Sequence, residues 1–211
     1  MDIIYQFRHS IIFSESIQMS LISSTRSLKH KLDSNLPYIV NFKRVSRMSA
    51  VQSLYSLIIT EDEISTLSEI DLKVLQIYKD TNEMLDTGIE LSSKHHYQLI
   101  QEIKNNFAEI KGVISDHIKE GWKIDEIHPV MLSILIASVA ELIYLDSPVR
   151  VVINEFVSMS NEFLPSSEVG FVNSFLDRVA RKYAPQGTFS KNPNETQNVP
   201  SDDNPSSTEK K

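Results

Sequence analysis

An all-α fold follows from three features of this chain. Only five glycines and eight prolines occur in 211 residues, and three of the prolines lie after residue 190, which leaves little turn chemistry for a β sandwich. Apolar residues recur at helical spacing through most of the middle of the chain. One segment, residues 131–145, is apolar nearly all round, as a central helix buried on most sides would be. The length suits one well-buried domain and is too short for two comfortable ones. The apolar share of 41% is ordinary for a packed core.

Residues 1–41 read as a variable N-terminal extension, partly helical. Ile3, Ile4, Phe7, Ile11, Ile12, Phe13 and Ile17 are interrupted by Arg8, His9 and Glu15, so no stretch approaches the roughly 20 residues of a membrane span. Asp2 stands where a secretory signal would carry a basic residue. A strong helix is expected over 42–59, with Val51, Leu54, Tyr55 and Ile58 on one stripe and Met48 at its edge. Two more amphipathic helices are expected over 71–85 and 97–118, the second carrying Leu99, Ile103, Phe107, Ile110 and Ile114. Pro129 suits a helix first turn, and Leu132, Ile134, Leu135, Ile136, Val139 and Leu142 follow it. Glu141 and the shortness of this segment argue against a membrane span. Val152, Phe156, Met159 and Phe163 mark a helix over 152–163. After a Pro/Ser hinge, Phe171, Val172, Phe175, Leu176 and Val179 mark another over 168–182. Residues 42–184 thus form the helical domain. Residues 185–211, rich in Asn, Pro, Ser and Thr, are expected to be a disordered tail.

The net charge of −7 is unevenly spread. Residues 1–59 hold seven Lys/Arg against three Asp/Glu, a net +4, whereas residues 60–130 hold seven against fifteen, a net −8. Fields act within a Debye length of about 8–10 Å, so a basic first part beside an acidic middle matters more than the total. The same pattern also describes a solvated acidic face without a partner. No cysteine is present, which excludes thiolate nucleophiles and Cys-ligated metals and fits a reducing, cytoplasmic setting.

The sharpest chemical candidate opens the 42–59 helix. At about 100° per residue, Arg44 and Arg47 fall on the side of Val51, Leu54 and Ile58, continuing the apolar stripe just past the core's edge, with Lys43 beside them. Cations at a helix N-terminus cost roughly 0.3–1 kcal/mol each, and a phosphate would reverse that penalty. The alternative is ordinary surface arginines with buried stems. On the first reading, changing both arginines to glutamate abolishes RNA binding and leaves the melting temperature almost unchanged. Elsewhere the signals are weak. His95 and His96 are adjacent and cannot face one ligand together, and Asp125 with His128 lacks the second pair a di-metal bundle requires. Asn154 and Glu155 suit capping in a helix first turn. Phosphate loop, nucleophile elbow and HExxH are all absent from the sequence, so neither catalysis nor a cofactor is expected.

The motif R-x-x-A-V-Q-x-L-Y, Arg47 to Tyr55, resembles the first-helix motif of the NusB family of transcription antitermination factors. The likeness resumes at Glu141-Leu142 and from Val149 to Ala180, with Ile-Asn-Glu at 153–155 and Phe-Val-Asn at 171–173. Two ordered motifs this far apart make the resemblance fairly specific. It implies a compact domain of two small bundles, about six to eight helices. It also implies binding of the single-stranded boxA element of ribosomal RNA transcripts, together with the ribosomal protein NusE, in a complex with RNA polymerase. Carried over by position, Arg47, Gln52 and Tyr55 would face the RNA with Phe163, and Asn173 would join that surface, while the phosphate work would fall mainly to Lys43, Arg44 and Arg47. Arginine holds phosphate, aromatics stack bases and amides read base edges, so these types suit a single strand. Tyr55 fits a core position equally well. This chain has Ser167 where relatives often have an acidic residue, and Ile136 where they commonly have arginine. The resemblance leaves a homodimer open. Two rival readings remain: a NusB-like module tied to an rRNA methyltransferase, and a helical interaction adaptor that binds no RNA.

Overall fold

The computed structural model describes residues 39–85, 91–118 and 121–183, and the expected extension (apart from its last residues) and tail lie outside them. Among the described residues the chain forms seven α-helices and no strand. They are α1 (Ile39–Thr60), α2 (Leu67–Leu85), α3 (Ser93–Asn105), α4 (Phe107–His117), α5 (Pro129–Tyr144), α6 (Val149–Phe163) and α7 (Ser166–Tyr183). Short 3-10 turns at Ile64–Thr66 and Ile124–Glu126 lead into α2 and α5.

Helix α5 organises the domain. Every residue from Val130 to Leu142 is buried, because α1, α3, α4, α6 and α7 all pack against it. Its serines return their hydroxyls to its own backbone, Ser133 to the Pro129 carbonyl at 2.7 Å and Ser138 to that of Leu135 at 3.0 Å, so neither is left unpaired. Glu141 cannot satisfy itself this way and reaches outward. Helices α1, α2 and α3 pack together on one side of α5, and α4, α6 and α7 on another, so two small bundles share one helix. Phe156 of α6 and Phe175 of α7 are fully buried, each stabilising by roughly 1.5–3 kcal/mol relative to exposure.

The segment expected as one helix over 97–118 is two. Asn106 leaves the helical region (φ −116°, ψ 19°), and its amide donates to the Glu102 carbonyl at 3.0 Å and the Glu102 carboxylate at 2.9 Å. A short amide that bonds its own backbone competes with the helix, and it redirects α4 onto α5 and α7. Helix α1 ends in a Schellman closure: Asp62 N–H donates to the Leu57 carbonyl (3.1 Å) and Glu61 N–H to that of Ile58 (3.3 Å). Glu61 thereby takes φ 55°, a left-handed position that glycine usually fills.

Candidate nucleic-acid interface

Helix α1 is buried on more than one side. From Arg44 to Tyr55 every residue is buried, polar ones included, because α5, α2 and α3 surround it while its first turns meet α6. The expectation that Arg44 and Arg47 stand just past the edge of the core is therefore corrected. Arg47 is 1% exposed, and its guanidinium makes a bidentate pair with Glu141, Nε to Oε2 at 2.8 Å and Nη2 to Oε1 at 2.6 Å. Arg44 donates Nη2 to Glu162 at 2.6 Å and Nη1 to Glu155 at 3.2 Å. Glu155 also lies 3.9 Å from Arg47, and His95 Nε2 lies 3.5 Å from Glu141. Charges alternate along one chain: His95, Glu141, Arg47, Glu155, Arg44, Glu162. A helical wheel gives the direction of a side chain but not how far neighbouring helices extend along the axis, so α6 crossing the first turns of α1 could not be read from it.

The electrostatics of Glu141 follow from this packing. Burial pushes its carboxyl up. Arg47, by its hydrogen bonds and charge, and His95 beside it outweigh burial and hold it at about 2, below its ordinary 4.5. A second buried cluster ties α1 to α2 and α3. His96 Nε2 lies 3.0 Å from both Asp71 oxygens, its Nδ1 lies 3.1 Å from the Ser46 carbonyl, and Ser53 donates to Asp71 at 2.7 Å. Both ring nitrogens face acceptors, an arrangement satisfied in full when both carry hydrogen. The adjacent histidines thus serve different carboxylates, and among the described residues no group of three or more His, Asp or Glu is arranged to hold a metal ion.

The other sequence-proposed residues divide. Gln52 and Tyr55 are buried, and burial raises the Tyr55 hydroxyl, which belongs to the core cluster. Phe163 is half-buried at the end of α6, one residue on from the Arg44 partner Glu162, and packs against the core. Asn173 is exposed on α7. Lys43 is half-buried and lines a cavity of about 470 Å³ with Lys94, His95 and Gln98 of α3 and Tyr144 and Asp146 at the α5–α6 corner. Lys94 and Gln98 escaped the sequence reading because they lie on α3, remote from the α1 motif, and only the packing of α3 on α1 and α5 joins them. The carboxylates did leave a signal. A lone Glu in the otherwise apolar α5 has to find a cation, and Glu155 and Glu162 lie two helical turns apart on one face.

These helices define an all-helical domain of two bundles whose first helix is anchored by buried arginine–carboxylate pairs. The chain belongs to the NusB family, whose model matches residues 44–181. Transcription antitermination protein NusB of Rickettsia massiliae is 31% identical over 151 residues, covering 68% of this chain and 94% of the relative. That of Rickettsia bellii is 29% identical over 146 residues, covering 68% and 92%. A solved T. maritima NusB superposes with a TM-score of 0.58 at 24% identity, covering 73% of this chain and 97% of that one, a likeness of fold. Among the described residues no helix is long and apolar enough to cross a membrane.

Proposed function

We propose that this protein is a transcription antitermination factor that binds boxA-type single-stranded RNA of ribosomal RNA transcripts jointly with the ribosomal protein NusE, in a complex with RNA polymerase. The observation that carries the reading is the pair of lysines, Lys43 and Lys94, that two different helices bring to one cavity at the start of α1. Lysines that converge across a helix pair rather than along one helix give one strand two phosphate contacts, here beside the acidic residues Glu102 and Asp146 of the same cavity.

The roles follow the burial. Lys43 and Lys94 meet phosphate, Phe163 stacks a base, and Asn173 reads an edge where the strand continues over α7. Arg47, Gln52 and Tyr55 act from inside, fixing α1 against α5 so that its first turn presents Lys43 in place. Arg44 is paired with two carboxylates. An acidic surface docks the basic ribosomal partner, and a shared RNA makes the two bindings mutually reinforcing. The test is a binding assay with boxA RNA and a scrambled RNA, each with and without purified NusE. Preference for boxA that grows with NusE is expected; equal binding of both RNAs in both conditions refutes the reading.

A further inference from the structure

The cavity at the start of α1 is not built as a simple phosphate seat. Its wall carries two lysines, Lys43 and Lys94, but also two acidic residues, Glu102 and Asp146, together with Gln98 and Tyr144. A bare phosphate would be repelled by the carboxylates and a bare cation by the amines, so the lining suits a ligand that offers both donors and acceptors. One Glu102 oxygen already accepts from Asn106, leaving the other open to a second donor. The Tyr144 hydroxyl is buried, with almost no surface open to the cavity. Burial first, then its interaction with Glu109 and the charge of Glu102, push this phenol up to about 12, so it stays neutral beside the cavity's carboxylates. The volume of about 470 Å³ falls within the roughly 300–1,000 Å³ of small-molecule pockets.

We propose that this cavity takes one unstacked guanine base of the bound strand, an inference that rests on the RNA-binding reading above. Guanine presents adjacent N1–H and N2–H donors on one edge, which Glu102 and Asp146 accept, and O6 and N7 acceptors, which the Gln98 amide meets. Lys43 and Lys94 then hold the phosphates that flank this nucleotide. Adenine, cytosine and uracil each lack that pairing of adjacent donors with adjacent acceptors.

The test uses the full chain and two kinds of probe. GMP and AMP are titrated separately while the ring signals of His95, which also lines the cavity, are followed by NMR. A short uridine-rich single-stranded RNA with one guanosine is compared with the same RNA carrying inosine, which lacks the N2 amino group. GMP should move the His95 signals where AMP does not, and inosine should weaken RNA binding about tenfold. Asp146→Asn should bring the guanosine and inosine affinities together, taking the roughly tenfold preference for guanosine to about one. If the RNA binds but guanosine and inosine are equivalent and GMP leaves His95 unmoved, the guanine pocket is overturned and the RNA-binding reading stands. If GMP moves His95 but no RNA binds, the RNA reading falls and the cavity stands as a nucleotide site. Silence to every probe overturns both.

Discussion

Replacing Arg47 with methionine separates a structural arginine from an RNA-binding one. The substitution keeps the side-chain stem but leaves Glu141, which is fully buried, with only the His95 ring nearby, at 3.5 Å. Removing one partner of a buried pair costs about 3–5 kcal/mol, and at about 2–4 °C per kcal/mol the melting temperature should fall by roughly 6–20 °C. The loss should depend on pH with a defined sign. Glu141 is held at about 2 when folded and titrates near 4.5 otherwise, so the native state binds fewer protons between these values. Its contribution, on the order of 3 kcal/mol, is therefore complete above about pH 4.5 and lost as the pH falls towards 2. Wild type and Arg47→Met should thus differ strongly at pH 7 and converge in acid. The double variant Arg47→Met with Glu141→Leu should recover most of the loss, because an apolar replacement of similar volume removes the unpaired charge. Thermal melts from pH 2 to 7 on the four proteins of this cycle would show it. A melting temperature for Arg47→Met within about 2 °C of wild type at pH 7 would refute the structural assignment.

Other perturbations follow from the same packing. Glu61→Gly should stabilise the protein by about 1 kcal/mol, since Glu61 holds φ 55° at the α1 closure; an unchanged denaturant midpoint would argue against strain there. His96→Leu should destabilise by about 3–5 kcal/mol by leaving the buried Asp71 carboxylate with Ser53 as its remaining donor, and Asp71→Asn in the same chain should restore part of that loss on urea unfolding. Phe175→Ala should cost about 3–5 kcal/mol, because this fully buried ring fills the core between α7 and α5.

Much of the fold was legible because the apolar spacing of α5, α6 and α7 leaves few alternatives, and the ordered motifs from Arg47 to Tyr55 and from Val149 to Ala180 pointed to the family. The break at Asn106 was hidden because Leu99, Ile103, Phe107, Ile110 and Ile114 keep helical spacing across it, so only the side chain's bond to its own backbone marks the turn. The candidate site was legible in part. Lys43 is half-buried at the start of α1, but the arginines beside it were placed on the wrong side of the core boundary. Their partners Glu141, Glu155 and Glu162 lie about a hundred residues on, and pairing at that separation is a property of packing rather than of local pattern. Lys94 and Gln98 carried no motif and became visible only when α3 was set against α1 and α5.

RNA affinity measured against salt concentration, for wild type and for Lys43→Gln with Lys94→Gln, tests the central claim most directly. Each phosphate contact on a single strand contributes about 0.7 to the slope of log K against log[salt], so losing two should flatten the slope by roughly 1.4, with the melting temperature within about 2 °C of wild type. Slopes that coincide for the two proteins, or a wild-type line that is flat, would contradict the assignment of these lysines to RNA phosphate.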